Sequence, residues 1–221
     1  MTINLPRYDK RTAVIGSTGS GKTQFAVWLL SIRDFDKRPW LIFDFKGDEL
    51  IADVIDLGGS ELSIYSEPPN KPGLYVVRPI PDRDDKAVIE FLWKIWAKGN
   101  MGVYVDEGYM LGARNPALNA CLTQGRSKHI EMIILSQRPV WLSKFVFSEA
   151  NYFAVMNLTL ADDRKFVSSY VGDTKINLLP KYHALWYDAD NQKGDILSPV
   201  PSRSALLERF ANRLPKKRRK I

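Results

Sequence analysis

The residues best equipped for chemistry are Gly16-Ser17-Thr18-Gly19-Ser20-Gly21-Lys22-Thr23. They follow the β-branched run Thr12-Ala13-Val14-Ile15 and precede Gln24-Phe25-Ala26-Val27-Trp28-Leu29-Leu30, whose apolar residues recur at helical spacing. Strand, glycine loop and helix in that order are the setting in which G-x-x-x-x-G-K-T cradles the phosphates of a nucleoside triphosphate. The glycines let successive backbone N–H groups turn inward toward an anion, and the new helix adds the positive end of its dipole. Lys22 is expected to reach the β- and γ-phosphates and the Thr23 hydroxyl to hold Mg²⁺. ATP with Mg²⁺ is therefore the expected cofactor pair.

A second chemical landmark is Met101-Gly102-Val103-Tyr104-Val105-Asp106-Glu107, an apolar strand ending in paired carboxylates. The carboxyl edge of a parallel sheet is where such a fold presents its site. Asp106 is the expected Mg²⁺ ligand, and Glu107 the group that polarises an attacking water. That glutamate separates water-attacking ATPases from small-molecule kinases; a nucleotide switch that does not hydrolyse would leave it idle. Further on, Glu131-Met132-Ile133-Ile134-Leu135-Ser136 ends in Gln137-Arg138-Pro139. An amide at that strand tip, Gln137, can bond the γ-phosphate or the water, and Pro139 forces the chain to leave the strand there.

These residues need a frame. Strands are expected at Arg11–Ile15, Trp40–Phe45, Leu74–Arg78, Met101–Glu107 and Glu131–Ser136, alternating with helices from Lys22 to Ile32, from near Asp48, from Asp82 to Lys98 and from Pro116 to Gln124. Asp48 can cap the second helix, which turns Leu50, Ile51, Val54 and Ile55 inward. The third turns in Val88, Ile89, Leu92, Ile95 and Trp96, with Trp93 less clearly buried. Ser60 to Pro72 reads as an irregular surface crossing. His183 to Asp188 reads as an edge strand, and Ala205, Leu206, Phe210 and Leu214 as the apolar face of a last helix. The alternation is that of an α/β protein with a mainly parallel central sheet flanked by helices.

Composition agrees with one globular unit over residues 1–215. The chain has 221 residues, 45% of them hydrophobic, and its longest apolar runs are far too short to span a bilayer. One cysteine excludes an internal disulfide and fits a reducing cytoplasm, and two histidines beside it give no metal cluster, so a metal is expected to ride on the nucleotide. Lys216, Lys217, Arg218, Arg219 and Lys220 carry five charges; removing them from the formal net charge of +7 leaves +2. The basic character thus sits in a tail, 216–221, suited to a phosphate backbone or an acidic partner.

The phosphate loop, Phe43-Asp44-Phe45-Lys46-Gly47-Asp48, Val105-Asp106-Glu107, Gly125-Arg126 and Ser136-Gln137-Arg138-Pro139, with Ala150 to Leu158 and Asp162-Asp163-Arg164, together resemble the HerA–FtsK superfamily of DNA-translocating ATPases. The resemblance covers about residues 10 to 172 and is nearest to the genome-packaging ATPases of membrane-containing, double-jelly-roll viruses. It implies a RecA-like (ASCE) P-loop NTPase core. It also implies a homo-hexameric ring and ATP-driven passage of double-stranded DNA, with capsid or portal-vertex partners, in the host cytoplasm or at the packaging vertex of the virion. Gly108-Tyr109 departs from the small residue often found after the acids, and only about ten residues precede the first strand, which favours the viral branch over repair helicases. Zonula-occludens-toxin-like phage assembly ATPases and plasmid-transfer coupling ATPases are the alternatives, but both usually carry membrane segments.

In a ring, an arginine from the neighbour completes each site. Arg126, entering its strand from the end opposite Gln137, is the expected trans residue, and Arg138 is the other candidate. Arg114, Lys144 and the tail residues Lys216 to Lys220 are the expected DNA contacts.

Overall fold

The computed structural model of the chain describes residues 8–172, 176 and 179–215. Its strands are β1 (Arg11–Ile15), β2 (Pro39–Asp44), β3 (Ser60–Glu61), β4 (Gly73–Val77), β5 (Met101–Asp106), β6 (Ile130–Ser136), β7 (Tyr152–Val155), β8 (Ala184–Asp188) and β9 (Lys193–Leu197). They form a sheet in the order β3-β4-β2-β5-β6-β1-β7-β8-β9. The first seven in that order run parallel, and β8 and β9 add an antiparallel hairpin. Every residue of β1, β2, β5 and β6 is buried. Parallel strands covered on both faces need that continuous apolar character, which is why these four read so plainly.

Helices cover both faces. α1 (Lys22–Ser31), α2 (Glu49–Asp56) and α7 (Arg203–Ala211) enclose a core with Phe25, Trp40, Ile42, Tyr104 and Phe210. On the opposite face α3 (Asp85–Lys98), α4 (Pro116–Gln124), α5 (Lys144–Ser148) and α6 (Ala161–Val171) close over Phe43, Phe91, Val103, Val105 and Phe147. Asp48 caps α2 by accepting from the Leu50 and Ile51 N–H groups, and Asn115 caps α4 by accepting from that of Leu118. Among the described residues no helix is long and apolar enough to cross a membrane.

The structure departs from the expected elements in several places, and β7, α5 and α6 lie in a stretch for which no element was expected. Residues 60 and 61 form the short strand β3 inside the stretch expected to be irregular, pairing with Tyr75 and Val76. α3 begins at Asp85 rather than Asp82, because Asp82 takes a left-handed backbone and Asp84 folds its carboxylate back onto the Ile80 N–H. β8 is not the sheet edge: β9 covers it, and β9 itself is mostly exposed. α7 ends at Ala211, so Leu214 packs into the core from beyond the helix.

Candidate nucleotide site

β1 lies between β6 and β7, so the loop that leaves it at Gly16 emerges at the carboxyl edge of the sheet. The Gly16 N–H donates to Ser136 O at 3.2 Å, and the Ser17 N–H and hydroxyl both donate to Asn157 O, at 2.9 and 2.6 Å. Gly19 and Gly21 stand at φ 76° and 96°, a left-handed backbone that side-chain-bearing residues adopt only with strain. No side chain caps the start of α1 at Gly21. The first-turn amides of this helix therefore face outward without an intrahelical acceptor, as an anion site requires. Thr18 and Gly19 are exposed, Ser20 is buried, and Thr23 is half-buried in the first turn.

The acids sit two strands away. β6 separates β1 from β5, which places Gln137 at a strand tip between the loop and Glu107. The Thr18 hydroxyl donates to Gln137 Oε1 at 2.5 Å, and the Gln137 N–H donates to Glu107 Oε2 at 3.4 Å. Glu107 has no exposed surface and a left-handed backbone, φ 58°, which swings its side chain back over the strand end. Lys22 Nζ lies 3.4 Å from Glu107 Oε1, and the Lys46 ammonium bonds the same oxygen. Burial works against the Lys46 charge, but the hydrogen bond and charge of Glu107 outweigh it and hold that ammonium above its ordinary pKa.

Lys46 stood out by no role of its own in the sequence, although it lay within Phe43 to Asp48. Its position comes from Asp44, at the tip of β2 beside Asp106. One Asp44 oxygen accepts from the Gly47 and Asp48 N–H groups, and the other pairs with Arg78 at 3.1 Å. That turn directs Lys46 toward β5.

Asp106 has no exposed surface, and neither of its carboxylate oxygens has a hydrogen-bond partner. Burial above all pushes its carboxyl up to about 7; Lys46 and Lys22 pull it down, while Glu107 and Asp48 push it further up. A buried, unpartnered carboxylate is costly unless a cation meets it. The donor set fits Mg²⁺, a hard cation that keeps oxygen ligands from one or two carboxylates, a hydroxyl and phosphate. Among the described residues no group of three or more His, Cys, Asp and Glu side chains is disposed to hold a metal.

The other expected residues lie apart. Arg126 is exposed in the turn Gly125–Lys128 that leads into β6, at the strand end opposite Gln137. Seven strand residues put it about 20 Å from its own nucleotide edge. Arg138 is held within its chain, its guanidinium 4.2 Å from the Trp141 ring centroid and 3.4 Å from Asp163 Oδ2. Arg114 and Lys144 are exposed, on the loop before α4 and at the start of α5. Lys216, Lys217, Arg218, Arg219 and Lys220 lie outside the described residues.

No family model matches the chain. It is 45% identical over 220 residues to DNA packaging ATPase P9 of Enterobacteria phage PRD1, covering 95% of this chain and 96% of that one. The genome packaging NTPase B204 from Sulfolobus turreted icosahedral virus 2, in complex with sulfate, superposes with a TM-score of 0.72 at 20% identity, over 89% of this chain and 99% of that one. EccC of Thermomonospora curvata (ATPases 2 and 3) gives 0.65 at 15% identity, over 96% of this chain and 42% of that one. At such identities these two structures speak for the fold alone, that of a P-loop ATPase. The match to P9 runs along nearly the whole of both sequences at more than two residues in five, and the chain belongs to the family of that viral DNA packaging ATPase.

Proposed function

We propose that the chain is the ATP-hydrolysing motor that drives double-stranded DNA into a viral capsid, acting as a homo-hexameric ring docked to capsid or portal-vertex proteins, in the host cytoplasm and at the packaging vertex. The relative's name supplies the packaging role, and the HerA–FtsK resemblance supplies the ring. The observation that carries hydrolysis is the meeting of Lys22, Gln137 and the buried Glu107 at one strand edge, with the orphaned carboxylate of Asp106 beside them.

Residues 16–23 bind the triphosphate, with Lys22 neutralising the β- and γ-oxygens. Thr23 and Asp106 hold Mg²⁺, which when bound offsets the charge developing on those oxygens. Phosphate arriving at Lys22 draws that ammonium from Glu107, whose carboxylate then accepts the proton of the attacking water. Lys46 restrains Glu107 until then, and Gln137 lies where the loop and Glu107 are both in reach. Arg126 completes the site of a neighbouring subunit; Arg114, Lys144 and the tail contact DNA phosphates without reading sequence.

The test is Glu107→Gln. ATP binding should survive while turnover, measured with double-stranded DNA present, falls by about 10²–10⁴, the worth of a general base. Hydrolysis at the parental rate would remove Glu107 from the mechanism. Turnover that is indifferent to DNA would count against translocation.

A further inference from the structure

Two buried side chains of β5 carry polar atoms that meet nothing. Tyr104 has no exposed surface, and its hydroxyl finds no hydrogen-bond partner among the described residues. Asp106, two residues on, is in the same state at both carboxylate oxygens. A buried polar group without a partner is costly, so two of them on one strand call for a common reason. Alternate side chains of a strand share a face, which puts Tyr104 and Asp106 on the same side of the sheet, with about 6–7 Å between their Cα atoms. It is the side that α1 and α2 cover, where Tyr104 belongs to the core with Phe25, Ile42 and Leu50.

On the neighbouring strand β2, Ile42 stands beside Tyr104 and Asp44 beside Asp106. Asp44 is engaged by the Gly47 and Asp48 N–H groups and by Arg78, and Asp48 by the Leu50 and Ile51 N–H groups. The phenol and the Asp106 carboxyl are what remain. Burial first, then the charges of Asp106, Asp48, Asp44 and Glu107 in falling order, hold the phenol's pKa well above its ordinary value. All four acids lie at the carboxyl edge of the sheet, the end to which the ring therefore leans. Tyr104 keeps its proton, and it is a standing donor beside a carboxyl that has none.

We propose that Tyr104 is a positioning residue of the Mg²⁺ site: its hydroxyl donates to one water shared with Asp106, and that water donates to one Asp106 oxygen, leaving the other turned to the cation. The assignment rests on the reading of Asp106 and Thr23 as Mg²⁺ ligands. Phenol and carboxyl make no direct hydrogen bond, and two polar partners are the least that hold a buried water. Groups that hold a metal ligand from behind fix its orientation and set the affinity of the site. Tyr104 acts through Asp106 alone and touches neither nucleotide nor reacting water.

The experiment measures, by calorimetry on the full chain, the dissociation constant of a non-hydrolysable ATP analogue with excess Mg²⁺ and again with EDTA. The parent should bind more tightly with Mg²⁺. Tyr104→Phe, which keeps the ring and removes the hydroxyl, should weaken binding with Mg²⁺ about tenfold and leave binding in EDTA unchanged. Tyr104→Met, also without a donor, should do the same and covers the case in which Tyr104→Phe does not fold. In an Asp106→Asn background, Tyr104→Phe should change neither constant. If both constants weaken together, the hydroxyl serves packing alone; if neither moves, or if the loss persists without the Asp106 carboxylate, Tyr104 does not position it. A parent indifferent to Mg²⁺ would remove the metal reading of Asp106 and Thr23 itself, and this assignment with it.

Discussion

Asp106 offers a measurement that needs no turnover. Folded, its carboxyl keeps a proton until about pH 7, whereas unfolded it ionises near the ordinary 3.8. Between those values the folded state holds the additional proton, so its contribution to stability falls as pH rises. At pH 8 the full difference of about three units costs about 4 kcal/mol, of which about 3 kcal/mol develops between pH 5 and pH 8. Asp106→Asn removes that dependence and leaves a buried amide with an unmet donor, a cost of about 1–3 kcal/mol at either pH. The variant's stability relative to the parent should therefore improve by about 3 kcal/mol from pH 5 to pH 8. In a chain of this size that is a relative gain of about 6–12 °C in Tm without nucleotide. Glu131, buried at the other end of the sheet, is also pushed up to about 7 by burial, but it acts in both proteins and cancels. Mg²⁺ and ATP should then raise the parent's Tm at pH 8 more than the variant's. Thermal melts at the two pH values decide the matter: parallel pH profiles for parent and variant would show that Asp106 ionises freely and that its isolation is no metal signature.

Lys46→Met should raise DNA-independent ATP turnover by up to about tenfold while leaving ATP affinity unchanged, since it frees one oxygen of Glu107 from a charged hydrogen bond; initial rates without DNA check this, and a fall would make Lys46 a phosphate ligand. Inactive Arg126→Ala subunits mixed with inactive Lys22→Ala subunits should recover part of the parental DNA-dependent turnover, because some interfaces pair an intact loop with an intact arginine. Normal hydrolysis by Arg126→Ala alone would shift the search to Arg138. Deleting residues 216–220 should flatten the slope of log affinity for duplex DNA against log salt concentration by up to about 4, near 0.9 for each DNA phosphate that the tail neutralises. An unchanged slope would place the tail away from DNA.

The loop and the acids could be read from sequence because each depends on neighbours within a few residues: a glycine pattern between strand and helix, carboxylates at the end of an apolar run. Four of the fully buried strands, β1, β2, β5 and β6, were legible for the same reason, since burial on both faces leaves no polar alternation to misread, whereas β7, equally buried but only four residues long, was not read as a strand. What escaped depends on pairing across the chain. Lys46 meets Glu107 only because β2 lies beside β5, 61 residues on. β9, Lys-Gly-Asp-Ile-Leu, carries charge and glycine because it is an exposed edge, and that composition made β8 look like the border.

The place of β1 in the middle of the sheet has a consequence for how the protein comes into being. The strand that carries the phosphate loop leaves the ribosome before the two strands that flank it, both of which are encoded more than a hundred residues later. Ser17 is pinned by the carbonyl of Asn157, 140 positions away. Synthesis at about 5–20 residues per second leaves the nascent loop without its cradle for several seconds or longer. Pairings of such sequence separation also close slowly once available, because loop-closure entropy is spent before the contacts form. Nucleotide in the cell therefore has nothing to grip on the nascent chain, and its binding energy accrues only to molecules in which β7 has already docked.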